Sequence, residues 1–182
     1  MLEIAEDRNE EDTDKAIDKY VQVESSDPDA KWLKKGKKSY FGYKGFVTTD
    51  GEGFITNAHL TPANKAEVRE LEHILPQVNA KRVLTDKGYA SAENRRKLKQ
   101  AGVKDGIMYK AAKNQQLSKW QKLFNKLVSK SRYVIEQSFG TLKRRFRFAR
   151  ASYMGLAKVC GQLNLKAICS NLLKALNKVA MA

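Results

Sequence analysis

From Ser39 to Thr49 the chain reads Ser-Tyr-Phe-Gly-Tyr-Lys-Gly-Phe-Val-Thr-Thr, aromatic and β-branched, and then reaches Asp50-Gly51-Glu52-Gly53, a turn composition. Phe54 to Leu60 reads as the returning strand of a hairpin. Asn64 is placed to N-cap a helix through Leu75, with Glu67 three residues on completing a capping-box-like pattern and Pro76 as its stop. Lys81 to Thr85 predicts a short strand ending at Asp86. Ser91 then caps a charged helix over Ala92 to Gln100 that Gly102 terminates. Val103 to Tyr109 predicts another strand. From Ser118 to about Phe146 the apolar positions Trp120, Leu123, Leu127, Val134 and Phe139 follow a helical period, with a break expected near Ser129. A last helix is predicted from about Leu156 to Val179. This order of hairpin, helix, strand, helix, strand and helices predicts an α/β fold, a mixed sheet flanked by helices.

At 182 residues and 42% hydrophobic content, the chain can bury one ordinary core. Residues 1–30 read as an acidic leader or connecting segment, closed by Asp27-Pro28-Asp29, and residues 31–182 as one domain. No run approaches the roughly 18 residues a membrane span needs, and the acidic start does not resemble a secretory signal, so a cytoplasmic protein without a membrane partner is expected. Cys160 and Cys169 lie nine residues apart on a predicted helix, on opposite faces and about 13 Å apart, which excludes a bridge between them. His59 and His73 lack zinc spacing, so the thiols read as buried structural groups.

Charge changes the picture. The net charge is +15, yet residues 1–30 hold eleven acids against three bases, leaving +23 on the other 152 residues. From Gly106 to the end there are sixteen Lys and Arg and one acid, Glu136. Such a field attracts a polyanion, and nucleic acid is the commonest one. A carboxylate kept inside so basic a stretch either pairs with a neighbouring base or binds a cation.

Two places carry candidate chemistry. Asp86 stands just past a strand end and is followed by Lys87-Gly88-Tyr89; it reads either as a turn former or as a ligand at the carboxyl end of a strand. Further on, helical spacing puts Arg132, Glu136 and Lys143 on one face, ahead of Arg144 and Arg145. Arg132 and Glu136 could form an exposed ion pair worth a few tenths of a kcal/mol. The functional alternative is that Asp86 and Glu136 help hold divalent cations for phosphoryl transfer, while Lys87, Lys143, Arg144 and Arg145 hold the DNA backbone. His59 could approach a site from its strand end or serve as a structural hydrogen-bonding histidine. Tyr40, Phe41 and Tyr43 could stack on bases or pack in the core.

At these residues the sequence resembles the DDE transposases of bacterial insertion sequences, in the large insertion-sequence-five group. The likeness lies in a second-Asp motif similar to Thr85-Asp86-Lys87-Gly88-Tyr89, and in a third-carboxylate signature matched by Arg132, Glu136 and Lys143. The signature's leading Tyr is replaced by Ser129. Further similar stretches are Lys34 to Lys38 leading into Tyr40 to Lys44, Thr61 to Asn64, Asp105 to Met108 and Phe139 to Arg144, so the resemblance spans roughly residues 27–178.

The resemblance implies an RNase H-like fold, Mg2+ or Mn2+ held by catalytic Asp86 and Glu136, and strand cleavage and transfer on DNA at element ends and target. It implies DNA contacts by Arg132 beside the other bases. The family's first catalytic Asp lies on the first strand of its sheet, and no acid in this chain follows such an apolar run. That strand is therefore expected to be missing, with an upstream transposase segment or a homodimer partner supplying the Asp. A truncated product and a second frame joined by frameshifting both fit. The competing reading is a non-catalytic basic nucleic-acid-binding protein, an inactive truncated transposase.

Overall fold

The computed structural model describes residues 26–75 and 80–180. Strand β1, Lys31–Lys35, turns through Gly36 into β2, Lys38–Thr49, and β3 follows as Ile55–Pro62. Lys35 pairs with Lys38, which leaves a two-residue turn; Gly36 has φ +64°, the left-handed backbone such turns require. β3 pairs antiparallel with the second half of β2, from Tyr43 opposite Pro62 to Thr49 opposite Ile55. Strand β1 was not expected, because its lysines have low strand preference; the tight turn and the ladder to β2 override that preference.

Helix α1 covers Glu67–Ile74, β4 Arg82–Thr85, α2 Ala92–Gln100 and β5 Lys104–Ile107. β4 and β5 run parallel, Arg82 opposite Lys104 and Thr85 opposite Ile107. The Ser91 hydroxyl accepts from the Asn94 amide at 3.0 Å, and Gly102 adopts φ +70° at the other end of α2, as its sequence predicts. The cap proposed at Asn64 is not formed. β3 continues to Pro62, the Lys65 amide donates to the Pro62 carbonyl, and α1 starts after Ala66 with no side-chain cap. Pro76, its expected stop, lies outside the described residues.

The long helical stretch divides into α3, Lys119–Ser131, and α4, Tyr133–Arg144, with the break at Arg132. Ser118 and Gln121 form a reciprocal capping box at the start of α3. Helix α5 spans Leu156–Ala180. The fold is mixed α/β: among the described residues its strands form a three-stranded antiparallel group and a two-stranded parallel group. No helix among the described residues is long and apolar enough to cross a membrane.

Two apolar clusters hold these layers. Val47, Ile55 and Leu60 of the antiparallel strands meet Leu142 of α4 and Val159, Leu163 and Ala167 of α5. Leu71 of α1, Leu98 of α2 and Ile107 of β5 form the second, with Val83, Tyr89 and Val103 against it. Cys160 is half-buried beside the first cluster, whereas Cys169 is exposed, which corrects the expectation of two buried thiols. The reason is helical: Leu163 and Ala167 set the docked face of α5, and Cys169 falls outside it.

Asp27 and Asp29, expected at the end of a leader, are tied into the fold. Their carboxylates accept from the Gly155 and Leu156 amides at 3.2 and 2.8 Å, where the helix dipole of α5 favours negative charge. Tyr43 donates to Asp27 at 2.7 Å, so that aromatic supports the α5 entry and is not free to stack. The Tyr43 hydroxyl, followed by backbone amides, holds the Asp27 carboxyl below its ordinary value of 3.8 although burial opposes. A depressed carboxyl contributes stability above its unfolded value that is lost as pH falls through the folded one. The protein is expected to lose stability as pH drops below 3.8, and Asp27→Asn to shrink the difference between urea midpoints at neutral and acid pH. An unchanged difference would remove Asp27 from the acid response.

Candidate catalytic site

Asp86 follows the last residue of β4 and turns the chain. Its carboxylate accepts from the Gly88 amide at 3.1 Å and so caps the short 3-10 turn Lys87–Tyr89. The turn-forming and ligand-placing readings of Asp86 are therefore compatible, since one oxygen holds the turn. The other meets the Arg132 guanidinium at 3.7 Å, with 44% of the Asp86 side chain open to solvent.

Arg132 lies between α3 and α4, and its carbonyl accepts from the Glu136 amide at 3.2 Å, one turn into α4. The guanidinium also donates toward the Met108 sulfur at 3.8 Å, just past β5. The alternative, an Arg132–Glu136 surface pair, is not formed, because the arginine reaches across to the strand ends. It thereby links the start of α4 to the carboxyl ends of β4 and β5, where α/β sheets place their ligands.

Helix α4 is oriented by its inner face. Ser138 donates to the Gly53 carbonyl at 3.1 Å, and a Cβ at Gly53 would stand 2.8 Å from Val134 Cγ1, so the β2–β3 turn fits only glycine. Leu142 is fully buried on the same side. Helical periodicity then turns Arg132, Glu136 and Lys143 to the opposite, outer face. Glu136 is exposed and forms no ion pair among the described residues. Lys143 stands over the Phe139 ring at 6.0 Å, and Lys87, Arg144 and Arg145 are exposed.

Two contributors were not legible. Glu67 of α1 reaches the turn after β4: a Cβ at Gly88 would lie 2.2 Å from Glu67 Oε2, so only glycine admits this carboxylate there. Lys44 of β2 stands 3.8 Å from Glu67 and donates to the Lys65 carbonyl at 2.9 Å. Both contacts join segments far apart in sequence, and the only local signal, the cap pattern, assigned Glu67 to another task. Tyr89 registers the resulting field. Burial raises its hydroxyl first, then the negative charges of Glu67, Glu70 and Asp86, while Arg132 opposes.

His59 takes the structural alternative. Its Nε2 lies 3.0 Å from the buried Glu70 carboxylate and its ring stacks on Phe46 at 4.9 Å. Among the described residues no three His, Cys, Asp or Glu side chains stand close enough to ligate one ion together.

A family model described as a transposase DDE domain matches residues 16–172. The transposase for insertion sequence element IS1106 of Neisseria meningitidis serogroup B is 50% identical to this chain over 157 residues, covering 86% of the chain. The chain spans 54%, about half, of that relative's length. No solved structure matches.

Proposed function

This chain belongs to the DDE-domain transposase family, and on that premise we propose that Asp86 and Glu136 are two of the carboxylates of a metal-dependent centre that cleaves and joins DNA strands at insertion-sequence ends. The observation that carries the reading is Arg132, which joins the Asp86 turn to the helix of Glu136 while leaving both carboxylates open to solvent.

The donor set fits a hard divalent cation in kind, since both groups offer anionic oxygens and no softer ligand intervenes. Among the described residues it is short in number, so we assign the remaining carboxylate to a segment outside them, in this chain, in a longer protein or on a second copy. Bound there, Mg2+ or Mn2+ supplies Lewis-acid activation of the scissile phosphate and the attacking oxygen. The chain's own part is positional. The Gly88 amide fixes one Asp86 oxygen, Arg132 orients the other, and Lys87, Lys143, Arg144 and Arg145 hold the phosphate backbone alongside. The test is strand cleavage and joining on DNA bearing element ends, with the chain in its full-length context. Activity that persists in a chelator sinks the reading.

The basic surface of Lys87, Lys143, Arg144 and Arg145, with too few clustered carboxylates among the described residues to hold one ion, favours a second reading, a basic nucleic-acid-binding protein without catalysis. It expects log affinity to fall linearly with log salt and to ignore divalent metal.

A second copy has a surface to meet. Leu165, Ile168, Leu172, Leu176 and Val179 of α5 are 56 to 77% exposed, on the face opposite Leu163 and Ala167. They follow heptad-like spacing, and with on the order of 100 Å² open on each, a pair of copies would bury about 1,000 Å², near the lower bound for a specific interface. Helix α5 carries four lysines and no acid, so its self-association is expected to strengthen with salt, opposite in sign to DNA binding. Leu172→Asp is expected to give a monomer by light scattering; an unchanged mass would remove this face.

A further inference from the structure

The hairpin of β1 and the first residues of β2 contributes no side chain to either core from Lys31 to Gly42. It carries Lys31, Lys34, Lys35, Lys37 and Lys38, all exposed, and no acid occurs from Lys31 through Thr49. None of the five forms an ion pair among the described residues. Between these charges stand open rings: Trp32 is 66% exposed, Tyr40 51% and Phe41 43%. Trp32 pairs with Phe41, so the two rings share one face, their centroids 5.2 Å apart. Tyr40, opposite Leu33, lies on the other face.

A two-stranded ribbon is marginal by itself in water, and large rings left on it add solvation cost without adding to a core. Five exposed lysines along it, with no ion pair among the described residues, repel one another as well. Both costs are relieved by one kind of partner, a strand of phosphates carrying flat apolar bases. Lysines take the backbone, and rings take base faces, most strongly those of bases not already stacked in a duplex. An acidic protein surface would answer the lysines but not the paired rings.

We propose that this ribbon is a second DNA-contacting element, which binds the backbone through its lysines and stacks an unpaired base on the Trp32–Phe41 face. The inference rests on the reading of the chain as a DNA-handling protein but makes no use of the carboxylates. It accounts for the basic run from Lys31 to Lys38, which the centre around Asp86 does not absorb.

The experiment uses fluorescence, because Trp32 and Trp120 are the only two tryptophans. In the full chain carrying Trp120→Phe, Trp32 emission is followed while an oligothymidine of about 15 nucleotides, or a duplex of equal length, is added. The single strand is expected to quench Trp32, and Trp32→Ala to weaken its binding about tenfold with a smaller loss on duplex. Lys34→Gln with Lys37→Gln should weaken both and flatten the salt dependence. Because these side chains are exposed, each variant should keep the parent's melting curve, which separates lost contacts from lost folding. Absence of quenching, or single-strand affinity unchanged in both Trp32→Ala and Phe41→Ala, overturns the proposal. Quenching that persists while cleavage needs no metal counts against the catalytic centre alone; cleavage by a protein whose Trp32 is blind to DNA counts against the ribbon alone.

Discussion

Asp86→Asn and Glu136→Gln, each introduced in the full-length context, are expected to lower Mg2+-dependent strand cleavage by about a thousandfold. Each change keeps the side chain's shape and removes one anionic oxygen donor. Lewis-acid stabilisation of a phosphoryl-transfer transition state is worth several kcal/mol, and each ~1.4 kcal/mol is tenfold in rate. Losing most of it predicts roughly three decades. Stability should hardly change. The Asp86–Arg132 contact is long, 3.7 Å, and nearly half open on the aspartate side, where ion pairs contribute little, and Glu136 has no partner to lose among the described residues. DNA affinity should hold or rise slightly, since a negative charge leaves a basic surface. Glu93→Gln supplies the control: it also removes a carboxylate, but one paired with Lys97 on α2, and should leave cleavage intact. Cleavage within a few-fold of the parent in both site variants would remove Asp86 and Glu136 from the centre.

Arg132 marks the limit of what the chain revealed before folding. Spacing alone put Arg132, Glu136 and Lys143 on one face, and the structure leaves Glu136 and Lys143 exposed while Arg132 reaches the strand ends. Local rules also located the Ser91 cap, the Gly102 terminator and the break before α4, because each is written within a few residues. They failed wherever a distant segment competes. Arg132 passes over the carboxylate one turn away for Asp86, 46 positions upstream. Glu67 leaves its expected cap for Gly88 and Lys44, since β3 extends through Pro62 and moves the helix start. Strand β1 was hidden by its lysines, and its pairing partner, not its composition, makes it a strand. The outward stripe of α5 was concealed by the same periodicity that revealed the helix, since apolar residues on both faces read as one long apolar segment.

Gly106→Ala tests whether the parallel strands position this centre or merely accompany it. A Cβ at Gly106 would lie 2.4 Å from the Val83 carbonyl oxygen and 2.6 Å from Leu84 Cδ2. The leucine tip can turn aside. The carbonyl cannot, because it belongs to the strand paired with Gly106 itself. Overpacking of this kind costs about 1 to 3 kcal/mol where side chains can adjust, and a backbone obstacle puts the expected loss at the upper end, about 3 kcal/mol. The consequence is directional. Asp86 is the residue after β4 and Met108 the residue after β5, and Arg132 touches both, so spreading the strands shifts the Asp86 turn relative to α4, which Ser138 and Leu142 hold against the other core. Cleavage should therefore fall together with the urea midpoint, in contrast to Asp86→Asn, where it falls alone. Gly161→Ala is the matching control: that glycine lies in helix α5 with nothing within 4 Å of an added Cβ, so alanine should stabilise by about 0.5 to 1 kcal/mol. A Gly106→Ala protein as stable as its parent would mean that β4 and β5 are free to part at this point. The parallel pairing could not then be what sets the Asp86 turn relative to the helix of Glu136.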